Sequence, residues 1–158
     1  MDLKVTTVRT AVKEDLDGLR TLMHAYIVDF YEYRPPSDQQ ITNLIECLLE
    51  QQEGIQFVAE SDGLLVGFAT LYFTFSTLRA KRVVVLNDLF LQETARGTGA
   101  AAKLFGACQE YAARNGYASM SWTTAEDNHR AQRFYDKMGG ERGKWLTYTL
   151  TPNIGVGD

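Results

Sequence analysis

The sequence predicts an α/β fold in which a mixed sheet is covered by helices, neither a doubly wound sheet nor a barrel. Short runs of alternating or β-branched apolar residues mark strands, and longer segments with apolar residues three and four apart mark helices. Their order is β-α-α-β-β-β-α-β-α-β. Hairpin-joined strands come before two strand–helix units, which is the signature of a mixed sheet.

Taken in order, Val5–Thr10 alternates as a strand. From Lys13 onward Leu16, Leu19, Leu22, Met23, Tyr26, Ile27 and Phe30 recur at helical spacing. Arg34-Pro-Pro-Ser ends that helix, because proline disfavours helical geometry in the residue before it. A second helix follows, with Ile41, Leu44, Ile45, Leu48 and Leu49 facing inward and Ser37 or Asp38 as its cap. Gln56–Glu60 and Leu64–Phe75 read as strands joined by Ser61-Asp62-Gly63, where Gly63 takes a positive φ. Val83–Leu91 begins with a nearly continuous apolar run, as expected of a central strand buried on both faces. Thr98–Asn115 is a helix closed by Gly116. Tyr117–Thr123 is a strand, Asn128–Met138 a helix stopped by Gly139-Gly140, and Lys144–Leu150 a final strand with Trp145 in it. Trp122 and Trp145 read as core or interface aromatics. With no repeat or linker, residues 1–150 form one domain and residues 151–158 a loose tail.

Composition sets outer bounds. At 158 residues, 45% hydrophobic and 23% charged, the chain has enough apolar surface for one well-formed core. A net charge of −4 without a dense Lys/Arg cluster argues against nucleic-acid binding. Cys47 and Cys108 fall at helical positions as reduced, buried thiols. Neither they nor His24 and His129 have metal-ligand spacing, so no metal is expected. The N-terminus lacks the charged and apolar regions of a signal peptide. No run approaches the ~18 apolar residues of a membrane span. A soluble, cytoplasmic protein with no membrane partner is expected.

The residues that bear chemistry begin at Arg96-Gly97-Thr98-Gly99-Ala100-Ala101-Ala102, between a strand and a helix. A helix start leaves its first N–H groups unpaired at an electropositive end, and small residues let phosphate oxygens approach them. Arg96 adds a charge-assisted contact. The GKS/GKT ending of an NTPase P-loop is absent. A dinucleotide fingerprint would sit in the first strand–helix unit, with an acid ending the second strand, and neither condition holds. A tight turn with close helix–sheet packing is the alternative reading of the same glycines.

Downstream stands Asn128-x-x-Ala131-x-x-Phe134-Tyr135-x-Lys137-x-Gly139. With Arg96-x-x-Gly99-x-Ala101 and the element order, this resembles the GNAT superfamily of N-acetyltransferases over nearly the whole chain. The resemblance implies a mostly antiparallel central sheet with a splayed strand pair, flanked by four helices. It implies acetyl-CoA as cosubstrate, with its pyrophosphate on the amides of Gly97–Ala102. The pantetheine arm would lie along Leu89, Phe90 and Leu91, and Asn128 and Ala131 would complete the cofactor contacts. Tyr135 matches the tyrosine that protonates the departing thiolate, a role suited to a phenol held near sulfur. Direct attack by a primary amine needs no covalent enzyme intermediate, so neither cysteine is required as a nucleophile. Members of this size often form homodimers through their C-terminal strands, and Lys144–Leu150 would occupy that place.

Tyr31-Glu32-Tyr33, Val66–Phe75 and Asp88-Leu89-Phe90 resemble the diamine (spermidine/spermine) acetyltransferase branch. That resemblance implies a small-molecule amine partner, with Tyr31 and Glu32 binding the polyamine. The chain departs from it at Asn87, where the polyamine enzymes carry a glutamate that assists amine deprotonation. Asparagine cannot accept a proton, so either Asp88, Glu32 or water serves, or the substrate differs. Asp88 faces either the cleft or a buried hydrogen-bond partner. Tyr31 and Tyr33 as amphipathic residues at a helix end, and Glu32 as a solvated charge, are the plainer alternatives. Another acceptor (an amino acid, an antibiotic or a protein lysine) or a non-catalytic acyl-CoA-binding module are the competing functions.

Overall fold

The computed structural model describes residues 5–153, which divide into two compact units after Thr123. The first unit is built on a five-stranded sheet of sequential order, β1 (Thr7–Thr10), β2 (Gly54–Ser61), β3 (Leu64–Ser76), β4 (Lys81–Leu91) and β5 (Met120–Ser121). Neighbours pair antiparallel except β4 and β5, which are parallel. Three helices accompany it: α1 (Leu16–Ala25), α2 (Asp38–Leu49) and α3 (Ala100–Arg114). The second unit carries α4 (His129–Lys137).

Local chemistry accounts for most of these boundaries. The β2–β3 hairpin turns on Asp62 and Gly63, at φ 52° and 76°. Two successive positive φ values make the turn whose twist matches the flanking strands. At the start of α2, the Ser37 Oγ accepts from the Gln40 N–H at 3.1 Å, and the Gln40 side chain accepts the Ser37 N–H at 2.9 Å. This reciprocal box satisfies two amides that a helix start would otherwise leave unpaired. Arg9 clamps β1 onto its surroundings, donating to both oxygens of buried Asp15 at 2.7 and 2.9 Å and to Glu60 at 3.1 Å. The Arg9 guanidinium holds the Asp15 carboxyl below its usual range.

The core between α1, α2 and the sheet contains Leu19, Leu22, Met23, Ile41, Ile45, Val58 and Phe68. On the α3 side, Ala100, Leu104, Phe105 and Cys108 are buried. Burial pushes the Cys108 thiol up to about 12, as suits an inert thiol.

Several expectations are corrected. The first helix does not run to Arg34. Its last turn, Tyr26–Phe30, widens to π-helical and stops before the prolines. Leu44 is 38% exposed, because it lies on the flank of the stripe formed by Ile41, Ile45 and Leu48. Cys47 is half-buried and meets Glu53 at 3.2 Å, so it is no core thiol. The strand expected at Tyr117–Thr123 shrinks to Met120–Ser121, in register with Val84 and Val85. No strand forms over 144–150, where Trp145 is 92% exposed. Apolar alternation is not by itself a strand, which needs a partner, and none is paired with this segment among the described residues. Of the tail expected from Thr151, residues 154–158 lie outside the described residues, as do residues 1–4 of the expected N-terminal end.

Candidate active site

β4 leads into the candidate site. Val84 and Val85 are held between β3 and β5, but β5 goes no further, while β3 continues beside β4 to the Gly67–Leu91 pair. From Leu86 to Leu91, therefore, the edge of β4 away from β3 has no strand partner among the described residues. Leu89, Phe90 and Leu91 lie on that stretch and are half-buried. Unpaired strand backbone is a ready hydrogen-bonding track for an extended ligand.

The chain then turns through Glu93–Ala95 and enters α3 at Gly99. Gly97 and Gly99 adopt φ 77° and 84°, and a Cβ at either would meet nothing within 4 Å. Their glycines are thus required by backbone conformation, not by close packing against the sheet. The close-packing part of the alternative is thereby removed, while its tight turn is what these positive φ values describe. Gly99 caps α3 without a side-chain acceptor, and the first helical bond runs from the Lys103 N–H to the Gly99 carbonyl. The amides of Ala100, Ala101 and Ala102 are accordingly left with no acceptor inside the helix. The Thr98 hydroxyl donates to the Ala95 carbonyl at 2.5 Å, and Arg96 is exposed beside the turn. An anion met here finds amides, the positive end of a 15-residue helix and one guanidinium.

Asn87 and Asp88 lie upstream on β4. The register pairs Thr70 with Asp88 and Leu71 with Leu86, which leaves Asn87 as the extra residue of a β-bulge. Bulges re-aim side chains and are frequent beside active sites. Exposed Asn87 donates from Nδ2 to the Asp88 Oδ1 at 3.1 Å. Burial raises the Asp88 carboxyl above its ordinary range, while hydrogen bonding from Thr70, Tyr26 and Asn87 opposes the rise. Tyr26 is held firmly as a phenol by burial and then by the Asp88 charge.

Tyr26 also joins Asp88 to an aromatic cluster. Its ring packs at 5.7 Å from Phe68, 5.5 Å from Phe90 and 5.0 Å from Tyr31. Tyr31 and Tyr33 stack at 6.1 Å and are 49% and 71% exposed. Exposed Glu32 between them has φ 56°, a strained value for a residue with a Cβ. Strain of this kind and a π-helical turn are both common at functional sites. Tyr26, Thr70 and Gln56 were not among the residues singled out from sequence. Only the β2–β3–β4 register brings the last two to Asp88.

In the second unit the Asn128 Oδ1 caps α4, accepting from the Ala131 N–H at 3.1 Å. Half-buried Tyr135 packs edge-on against Phe134 at 5.5 Å. Gly139 ends the helix region at φ 93°.

Residues 19–140 match the Acetyltransferase (GNAT) family. The chain belongs to the GNAT acetyltransferases. It is 35% identical over 135 residues to the "Uncharacterized N-acetyltransferase YhfO" of Bacillus subtilis, a match covering 85% of this chain and 89% of that protein. A crystal structure described as a probable acetyltransferase superimposes with TM-score 0.80 at 29% identity, covering 94% of this chain and 99% of the other. The aminoglycoside N-acetyltransferase AAC(6')-Iy in complex with CoA shares the fold, with TM-score 0.81 at 21% identity over 95% of this chain and 97% of its own. This GNAT protein is an acetyl-CoA-dependent acyltransferase. Its mixed, mostly antiparallel sheet and four helices are those of the family.

Proposed function

We propose that the protein transfers the acetyl group of acetyl-CoA directly to a primary amine of a small molecule of the diamine class, in a ternary complex. The observation that carries this reading is the continuity of the unpaired β4 edge with the uncapped start of α3. An extended thioester arm ending in a pyrophosphate needs a strand-like track leading to an anion site. In this reading the arm runs along Leu89, Phe90 and Leu91, and the pyrophosphate meets Arg96 and the amides of Gly97–Ala102. Asn128 and Ala131, from α4, add cofactor contacts.

The amine nitrogen forms a bond to the thioester carbonyl carbon as the carbon–sulfur bond breaks. The ammonium loses one proton before attack and the nitrogen a second as the amide forms, while the thiolate takes up one, so one proton is released to solvent overall. Tyr135 donates the proton that the thiolate takes up and is reprotonated through water by the second nitrogen proton. Asp88 draws the acceptor's ammonium and takes the proton lost before attack, directly or through water, because Asn87 has no basic atom for that role. Tyr31 and Glu32 contact the body of the amine. A single carboxylate at the β4 bulge suits a short amine better than a chain with three or four cations. We further infer a homodimer, supported by the exposed apolar residues Trp145, Leu146, Tyr148 and Leu150. Sedimentation of wild type beside Trp145→Ser tests it.

Thiol release from acetyl-CoA with a panel of diamines, polyamines, amino acids, aminoglycosides and a lysine peptide tests the substrate reading. Short diamines should saturate at the lowest concentration. Tighter saturation by spermine overturns the size argument, and cofactor binding without turnover on any amine supports the non-catalytic alternative.

A further inference from the structure

Three polar side chains cross the middle of an otherwise apolar sheet in a single row. Gln56 on β2 pairs directly with Thr70 on β3, and Thr70 pairs directly with Asp88 on β4. Directly opposed residues project to the same face, so register alone stacks these three side chains side by side. Gln56 and Thr70 are 2% and 1% exposed, and their neighbours Phe57, Val58, Ala69 and Leu71 are apolar and buried. Burying an amide and a hydroxyl among such residues is costly unless each is hydrogen-bonded.

The hydrogen bonds give the row a direction. The Gln56 Nε2 donates to the Thr70 Oγ1 at 3.1 Å and contacts the Met23 Sδ at 3.7 Å. A hydroxyl has one hydrogen to give. With the Thr70 oxygen already accepting from Gln56, its hydrogen is free to be given, and the strand register sets the Asp88 carboxyl directly opposite it. Thr70 is among the groups that hold that carboxyl down against the pull of burial.

We propose that Gln56 and Thr70 are positioning residues for acyl transfer, with Gln56 fixing the Thr70 hydroxyl so that it orients the Asp88 carboxylate toward the acceptor amine. This rests on the reading that Asp88 serves the acceptor. Other groups also face Asp88. They are the Tyr26 phenol from the π-helical turn, the Tyr72 phenol from β3 and the Asn87 amide. Burial, and then the Asp88 charge, raises Tyr26 and takes Tyr72 up to about 12, so both remain protonated near neutral pH. The donors to Asp88 favour its anion against the upward pull of burial. Removing one lets the carboxyl hold its proton to a higher pH.

The test is the pH profile of kcat/KM for the best amine, at saturating acetyl-CoA, together with a carbon-13 NMR titration of the Asp88 carboxyl. Thr70→Val keeps the shape of the side chain and removes the hydroxyl. It should move both the acidic limb and the NMR midpoint upward by about one pH unit, with acetyl-CoA affinity unchanged. Thr70→Ser should restore both to the wild-type values. Gln56→Met should shift them in the same direction by less, and should add nothing in the Thr70→Val background. This second variant carries the test should Thr70→Val fail to fold. An unmoved limb in a folded Thr70→Val or Gln56→Met protein, while Asp88→Asn abolishes it, overturns the positioning role and leaves Asp88 in the site. An Asp88→Asn profile identical to wild type overturns the acceptor role of Asp88, and this inference with it.

Discussion

The start of α3 and the Asp88 row are both polar features set in one apolar framework, but they are built differently. At α3 the polar groups on offer are backbone amides. They are made available by two positive-φ glycines, the missing side-chain cap and three alanines within seven consecutive residues. At Asp88 the groups are side chains from Gln56, Thr70 and Asn87, assembled by pairing across three strands, with Tyr26 closing from the π-helical turn. The first arrangement suits a ligand common to a whole family, since backbone amides recognise phosphate whatever surrounds them. The second can change with single substitutions, as a specificity element must. Cofactor binding and acceptor chemistry should therefore come apart when each region is altered.

The largest effect is expected from the group assigned to the leaving thiolate. Tyr135→Phe keeps the ring and its contact with Phe134 while removing the hydroxyl. Pre-steady-state transfer should fall about 10²–10⁴-fold, with acetyl-CoA affinity by calorimetry unchanged. Retention of more than half the rate would assign thiolate protonation to water. Asp88→Asn comes next. It should lower kcat/KM for the best amine by about 10²-fold and leave acetyl-CoA affinity alone. Equal losses in both measurements would mean that the β4 bulge supports the cofactor too, and the separation of the two regions would fail.

The same contrast explains what was legible in the chain. Gly97 and Gly99, the Ser37 cap, the Asp62-Gly63 turn and the Asn128 cap depend on residues within about four positions of one another, so their chemistry is visible in a short window. Gln56, Thr70 and Asp88 are far apart in sequence, and a one-residue slip in either strand pair would turn them to opposite faces. Lys144–Leu150 failed for a related reason. Its apolar pattern is strand-like, but a strand also needs a neighbouring edge, and no short window reports one. At Tyr117–Thr123 the partner exists, but pairing runs only from Arg82, whose carbonyl accepts from the Ala118 N–H, to Val85 before β4 parts from β5. The missing pairs are what leave the rest of the β4 edge without a strand partner among the described residues.

A smaller effect distinguishes backbone recognition at α3 from helix stability. Ala102 is exposed in the first turn of α3. Ala102→Glu places a negative charge at the helix N-terminus, where it favours the helix by about 0.3–1 kcal/mol. The same charge repels a pyrophosphate a few ångströms away, which at solvent-like screening amounts to roughly tenfold in affinity. Thermal stability should hold or rise while acetyl-CoA binding weakens. Unchanged affinity would remove the pyrophosphate from this helix start.

The finest comparison uses two glycines that the fold treats alike. Gly63 and Gly99 both have positive φ, at 76° and 84°, and a Cβ on either meets nothing within 4 Å. Alanine at either position should therefore cost about 1–2 kcal/mol of backbone strain, and no more, because nothing has to be displaced. Chemical denaturation of Gly63→Ala and Gly99→Ala should give similar losses of stability. Acetyl-CoA affinity should separate them. The Gly63 hairpin joins β2 to β3, whereas Gly99 sets the direction in which the α3 amides point, so only Gly99→Ala should bind the cofactor less tightly. Equal affinity in the two variants would show that the backbone at Gly99 tolerates a Cβ without moving those amides. The glycine would then serve the turn and not the ligand.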